Sequence, residues 1–170
     1  MVLSLRLLVG VRMSVERIDK IAIAKSFGKA ACHYDSVAHF QRWVGGQLLT
    51  KIPVSNARTV LDLGCGTGFF MSAIQTQFPG ASIYGLDISE DMVRFASDSH
   101  KTSSFNWLAG DAERLPFKTG SVDVIFSSLA VQWCGNLQAL FLEITRVLSK
   151  DGVFIFSSLV EGSLSEMKQA

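Results

Sequence analysis

Between Thr59 and Leu159 short apolar runs alternate with stretches of helical period, and nothing else in the sequence restricts the fold as much. Thr59–Leu63 is a short β-branched and apolar run. Phe69–Phe78 has helical spacing through Phe70, Ala73, Ile74 and Gln77, and Pro79-Gly80 ends it. Ser82–Asp87 reads as a second strand, Glu90–Ser99 as a helix with Met92, Val93, Phe95 and Ala96 inward, and Ser104–Leu108 as a third strand. Val122–Ser127 is a fourth strand and Leu137–Leu148 an amphipathic helix. Lys150-Asp151-Gly152 forms its exit turn, and Val153–Leu159 is a fifth strand. Short strands separated by helices imply an α/β domain whose parallel sheet is covered on both faces.

Upstream, from Ser14 to about Ile52, the period is helical. Ile18, Ile21, Ala22 and Phe27 recur at three- and four-residue steps, as do Phe40, Trp43, Val44, Leu48 and Leu49. Two helices are predicted, interrupted at Gly28 and Cys32-His33-Tyr34-Asp35, with a turn at Pro53, Ser55 and Asn56. Residues 1–13 form an extension whose apolar run, Leu7 to Val11, is too short to cross a bilayer and has no cleavage pattern after it; Met13 offers an alternative start. With 170 residues, 48% of them hydrophobic, the chain is sized for one domain with a real core, which excludes a disordered or collagen-like polymer. The formal net charge of +1 speaks against nucleic-acid binding, and no membrane segment is expected. The charge is uneven: residues 1–58 hold nine basic and three acidic side chains, residues 59–170 seven and twelve. Solvated helix faces or a docking surface for an acidic partner would both give that asymmetry. Cys32, Cys65 and Cys134 have neither disulfide-framework nor zinc spacing, so no metal is expected, and a reducing, cytoplasmic setting fits.

Chemistry begins at the exit of the first strand, Val60-Leu61-Asp62-Leu63-Gly64-Cys65-Gly66-Thr67-Gly68. Glycines there let the backbone turn sharply and approach a ligand near the N-terminal amides of the following helix. A dinucleotide fingerprint would need G-x-G-x-x-G, but the third glycine falls one place early and Phe69 takes its position. Asp62 is the second departure. A carboxylate there repels a pyrophosphate and favours an ammonium or sulfonium. Asp87, 25 residues later, and Asp111, another 24 on, stand at or just beyond the ends of the next two strands. Each acid alone could be a helix cap or a turn residue. Capping does not explain their recurrence at one end of the sheet, where open α/β sheets bind ligands.

These residues resemble the class I S-adenosylmethionine-dependent methyltransferases, whose first motif is an acid followed by G-x-G-x-G. The resemblance implies a Rossmann-like sheet in the order 3-2-1-4-5. It implies S-adenosylmethionine as methyl donor, Asp87 accepting both ribose hydroxyls and Asp111 meeting the adenine amino group. The cofactor set it marks is Asp62, Gly64, Cys65, Gly66, Gly68, Asp87, Ile88, Met92, Asp111, Ala112 and Ser128. Residues 57–170 would form the cofactor domain and residues 14–56 helices covering the active site. Asp123, in the fourth strand, is expected to be structural.

A narrower resemblance lies in Ser128-Leu129-Ala130-Val131-Gln132-Trp133-Cys134-Gly135-Asn136, in Phe27 to Tyr34 and in Ser157 to Leu164. These are similar to the malonyl-acyl-carrier-protein O-methyltransferase family of biotin synthesis. That implies methyl transfer to the free carboxylate of a malonyl thioester on acyl carrier protein, giving the methyl ester that primes pimelate and biotin synthesis. Such a carboxylate is ionised near neutral pH, with a pKa of about 4, so no strong base is required. His33, His39 and His100 have no context that marks a base. Tyr34, Gln132 and Trp133 are the candidates for positioning the acceptor, and Arg17, Lys20, Lys25, Lys29 and Arg42 for meeting an acidic carrier. The family continues past its fifth strand with a helix and two more strands. Against it this chain reads as truncated, without the sixth and seventh strands, with an exposed sheet edge and an apolar helix face. Two alternatives stay open: another small-molecule methyltransferase, such as a quinone-ring C-methyltransferase, or a methyltransferase-like module that binds without catalysis.

Overall fold

The computed structural model describes residues 19–22, 24–26, 28, 39–54 and 56–159. Residues 20–22, 24–26 and 28 are helical. The elements that follow are α1 (His39–Leu49), β1 (Thr59–Leu63), α2 (Met71–Gln77), β2 (Ser82–Asp87), α3 (Glu90–Ser99), β3 (Asn106–Ala109), β4 (Val122–Ser128), a 3-10 turn (Val131–Trp133), α4 (Leu137–Val147) and β5 (Leu148–Ser157). The five strands are parallel and lie in the order β3-β2-β1-β4-β5. This is the class I Rossmann-like arrangement. Its switch point lies between β1 and β4, from which the strand order runs outward in opposite directions.

Strand alternation sends side chains to two separate cores. Val60 of β1, Ile83 of β2, and Val124 and Phe126 of β4 meet Leu48, Leu49, Met71, Ile74 and Phe78 on one face. Leu61, Leu63, Leu86 and Ile125 meet Leu140, Ile144 and Val147 of α4 on the other. Val122 belongs with Ile125 although the two are three residues apart. Val122 stands at the start of β4, where the β4–β5 register shifts before Val124. The helices start where their caps are. Ser89 accepts from the Met92 amide at 3.4 Å and Asn136 from the Ala139 amide at 3.0 Å. Glu90 and Asp91 fill the first turn of α3, where negative charge complements the helix dipole. Arg146, in the last turn of α4, holds Glu143 and donates to the Phe117 and Leu115 carbonyls, tying the preceding loop to the helix. Asp123 accepts from the Arg58 and Thr59 amides and from Ser149 Oγ. It joins the starts of β1 and β5, the structural role expected of it.

Three details differ from the sequence reading. β5 begins at Leu148, because Lys150-Asp151-Gly152 is not an exit turn but a bulge: Val122 pairs with Leu148 and Val124 with Val153. β3 runs from Asn106 to Ala109, after Phe105 has turned into the core. Ile21, Phe40 and Trp43, which share the apolar helical period, are exposed. α1 approaches the sheet through Gly45, where a Cβ would stand 2.2 Å from the Phe70 ring, and that close contact turns Leu48 and Leu49 inward and Phe40 and Trp43 outward. On the β5 side Phe154 and Phe156 stack at 4.8 Å, and Phe156 and Leu142 are exposed. Among the described residues no helix is long and apolar enough to cross a membrane.

Candidate functional site

The loop after β1 hangs from the end of β2. The Gly64 and Cys65 amides both donate to the Leu86 carbonyl, at 2.7 and 3.1 Å, and the Gly66 amide donates to Asp87 Oδ2 at 2.9 Å. Gly64 has φ +77°, and a Cβ on it would lie 2.3 Å from that of Ala130, at the end of β4. Gly68 has φ +79°, and a Cβ there would lie 2.5 Å from the Trp107 ring. Both positions therefore need glycine for conformation and for space.

Because β1, β2 and β3 are parallel neighbours, their C-terminal ends share one edge, and the three acids collect there. Asp62 is 2% exposed and its Oδ2 has no hydrogen-bond partner. Burial, and then the charge of Asp87, push its carboxyl up to about 8. Asp87 accepts from the Ser89 amide through Oδ1 and from Gly66 through Oδ2, both at 2.9 Å. Burial still outweighs those amides and holds its carboxyl above the ordinary value. Asp111 accepts from the Glu113 amide at 2.9 Å and from Lys20 Nζ at 2.7 and 3.0 Å.

A cleft runs along this edge. Its walls are Leu63, Gly64, Gly66, Leu86, Asp87, Ile88 and Met92 on one side, Gly110, Asp111 and Ala112 at one end, and Ser128, Ala130, Val131, Trp133 and Cys134 opposite. Lys20 reaches in from the N-terminal helical stretch. A smaller cavity shares Gly64, Gly66 and Ser128 with the cleft and adds Gln41, Arg42, Asp62, Cys65, Phe69 and Phe70. The Arg42 guanidinium lies 4.2 Å over the Phe69 ring at that end. On the β4 side Leu129 has φ +52°, a conformation an ordinary side chain adopts only where the surroundings enforce it. Its amide donates to Ser157, and its carbonyl accepts from Gln132 Nε2 at 2.7 Å. Burial, followed by the charge of Glu113, pushes the Cys134 thiol up to about 11, so it stays protonated at neutral pH.

Of the residues singled out from sequence, Gly64, Gly66, Asp87, Ile88, Met92, Asp111, Ala112, Ser128 and Trp133 line the cleft, and Asp62 and Cys65 line the cavity joined to it. Gly68 lines neither and serves the packing of Trp107. Gln132 lines neither; its amide spans the Leu129 carbonyl and Ser158 Oγ. Tyr34, Arg17 and Lys29 lie outside the described residues. Leu129, Ala130, Gln41 and Cys134 were missed as cleft or cavity residues, and Lys20 and Arg42, read from sequence as meeting an acidic carrier, line the cleft and the cavity. No spacing rule connects residues 20 or 42 to strands more than fifteen positions away. Only an ion-pair search from the Asp111-x-Glu113 pair would have pointed to a basic partner.

Residues 61–156 match the family described as methyltransferase domain. The chain is 48% identical over 154 residues to the biotin biosynthesis bifunctional protein BioHC of Cellvibrio japonicus, covering 90% of this chain and 30% of that protein. It is 40% identical over 158 residues to the malonyl-(acyl-carrier protein) O-methyltransferase of Pectobacterium atrosepticum, covering 93% of this chain and 61% of that one. A solved S-adenosylmethionine dependent methyltransferase from Mesorhizobium loti superposes with a TM-score of 0.60 at 31% identity, over 69% of this chain and 53% of that one. The chain thus spans less than two thirds of the length of each of these relatives.

Proposed function

Because the chain belongs to the methyltransferase-domain family, we propose that it binds S-adenosylmethionine in the cleft and directs methyl transfer to the free carboxylate of a malonyl thioester on acyl carrier protein. The observation that carries the cofactor half is Asp62: a carboxylate buried beside the glycine loop, with an oxygen no protein group satisfies. A cationic ligand end satisfies it, and a pyrophosphate does not. Asp87 and Asp111 supply acceptors for hydroxyl and amino donors, while Leu86, Ile88, Met92 and Val131 offer apolar walls to a flat base. S-adenosylmethionine, when bound, supplies an electrophilic methyl carbon on a sulfonium.

The protein's part is to orient the acceptor and to keep water out. An acceptor carboxylate arrives ionised, so the cleft needs no base, and among the described lining residues there is no histidine. The Cys134 thiol, held protonated, does not compete as a nucleophile. Trp133, 44% exposed and lining the cleft, serves as a wall for the acceptor. Gln132 acts one step behind it, holding Leu129 in its left-handed turn. Orientation of this kind supplies several kcal/mol of a barrier. The malonyl carrier is proposed on the identities of 48% and 40% to relatives named for biotin synthesis and for that reaction. The basic docking set is smaller than its sequence suggests. Lys20 is engaged in the cleft and Arg42 lies over Phe69, so of the described members Lys25 is the one left exposed.

The test is transfer of labelled methyl from S-adenosylmethionine to malonyl-acyl carrier protein, with malonyl-coenzyme A and a quinone precursor as competing acceptors. Label is expected on the carrier as a base-labile ester, and on the quinone not at all. Label on the quinone alone would overturn the acceptor assignment. Cofactor binding with no transfer to any acceptor would mark a binding module.

A further inference from the structure

Lys20 comes from outside the sheet, yet it is more tightly held than any other lysine described. Its Nζ donates to both oxygens of Asp111, at 2.7 and 3.0 Å, and lies 2.7 Å from Glu113 Oε1. Two carboxylates thus surround the ammonium, Asp111 through both oxygens and Glu113 through one. Its side chain is 24% exposed and that of Glu113 15%, so the cluster is only partly screened by water. Glu113 is fixed in turn, since its Oε1 also accepts from the Asn136 amide at 2.8 Å. Lys20 lines the cleft, but its ammonium is committed to these two carboxylates. What it can do is hold Asp111. Asp111 Oδ1 is shared between Lys20 and the Glu113 amide, whereas Oδ2 accepts from Lys20 alone and retains acceptor capacity.

The same contact fixes the helical stretch that carries Lys20. At its far end a Cβ on Gly28 would stand 3.0 Å from Asp91 and 3.1 Å from Ser89 Oγ, at the start of α3. At its near end Lys20 Cε lies 3.6 Å from the Cβ position of Gly135. The stretch therefore runs from the Asp111 end of the cleft to the cap of α3.

We propose that Lys20 is a positioning residue for the cofactor's base: by clamping the Asp111 carboxylate it presents one oxygen to an amino donor, so the cleft selects a 6-amino purine over a 6-oxo purine. The inference rests on the cofactor reading above. Without the ammonium, Asp111 and Glu113 become adjacent like charges that drive each other apart, and the presented oxygen is lost. A purine amino group can donate to that oxygen. A 6-oxo group presents its own acceptor to it and is rejected.

The experiment titrates S-adenosylhomocysteine and S-inosylhomocysteine into the wild-type chain and into Lys20→Met and Lys20→Arg, with a thermal melt of each to establish folding. The wild type is expected to prefer the adenosyl compound by about 10-fold or more. Lys20→Met is expected to lose about 10-fold in adenosyl affinity and little in inosyl affinity, narrowing the preference, and Lys20→Arg to restore most of it. Equal loss of both ligands in Lys20→Met would overturn the proposal, leaving Lys20 a purely structural tie. So would an unchanged preference. A wild type that binds neither compound would instead overturn the cofactor reading itself, and the inference with it.

Discussion

Replacing Asp87 by alanine is expected to weaken binding of S-adenosylhomocysteine by at least about 100-fold, because two hydrogen bonds to a partly buried carboxylate are worth about 3 kcal/mol or more together. The carboxylate is aimed before any ligand arrives. Ser89 and Gly66 amides hold its two oxygens, and it lines the cleft between Gly66 and Ile88. Alanine also leaves those two amides without their acceptor, so some stability is lost as well. Asp87→Asn separates the effects. It keeps the shape and one carbonyl acceptor but not the charge, and its melt should lie close to that of the wild type while binding still falls about 10-fold or more. Calorimetric titration checks both. Wild-type affinity in Asp87→Ala would remove this residue from the site.

Asp62→Asn is expected to stabilise the fold at alkaline pH and to damage binding. The folded chain holds the Asp62 carboxyl up to about 8, whereas an unfolded chain releases that proton near the ordinary value of 3.8. Between those values the folded state binds more protons than the unfolded one. Stability therefore falls as pH rises through that window, opposite to a salt-bridged carboxylate. Asparagine has no proton to lose. At pH 8 the variant is expected to be more stable by about 2 kcal/mol, with a smaller difference near pH 5, as read from denaturant midpoints. Binding of S-adenosylmethionine should weaken by about 100-fold, since its cationic end loses its counter-charge. The wild type should also release protons on binding near pH 7, because a cation beside Asp62 favours the ionised form. Titration in buffers of different ionisation enthalpy detects that release, and Asp62→Asn should abolish it. A variant that binds as tightly as the wild type would show that the buried acid does not meet the ligand.

The trade between stability and binding at Asp62 also explains why the sequence was informative there. An acid inside an apolar strand is locally inconsistent, and such violations concentrate where a ligand is meant to compensate. The glycine loop and the three acids are local in sequence and recur with the βαβ unit, so their spacing and the resemblance it carries located them. Ser82–Asp87 and Glu90–Ser99 were legible to the residue, the first as an extended run and the second from the spacing of Met92, Val93, Phe95 and Ala96. The bulge in β5 was not. Gly152 reads equally well as a turn, and only pairing with β4 distinguishes the two. The far wall of the site was the least legible part. Lys20, Gln41 and Arg42 reach it from segments whose own pattern reports a helix but not what the helix lies against. Gln132 illustrates a related limit: its position in the motif suggested a donor for the acceptor, while its amide is committed to Leu129 and Ser158.

The most direct test of the account is the structure of the chain with S-adenosylhomocysteine bound, read as distances from ligand atoms to three carboxylates. The ribose hydroxyls are expected within hydrogen-bond distance of Asp87, the base amino group at Asp111 and the amino-acid ammonium in the cavity of Asp62. A ligand bound elsewhere, or one lying in the cleft with its ammonium away from Asp62, would contradict it.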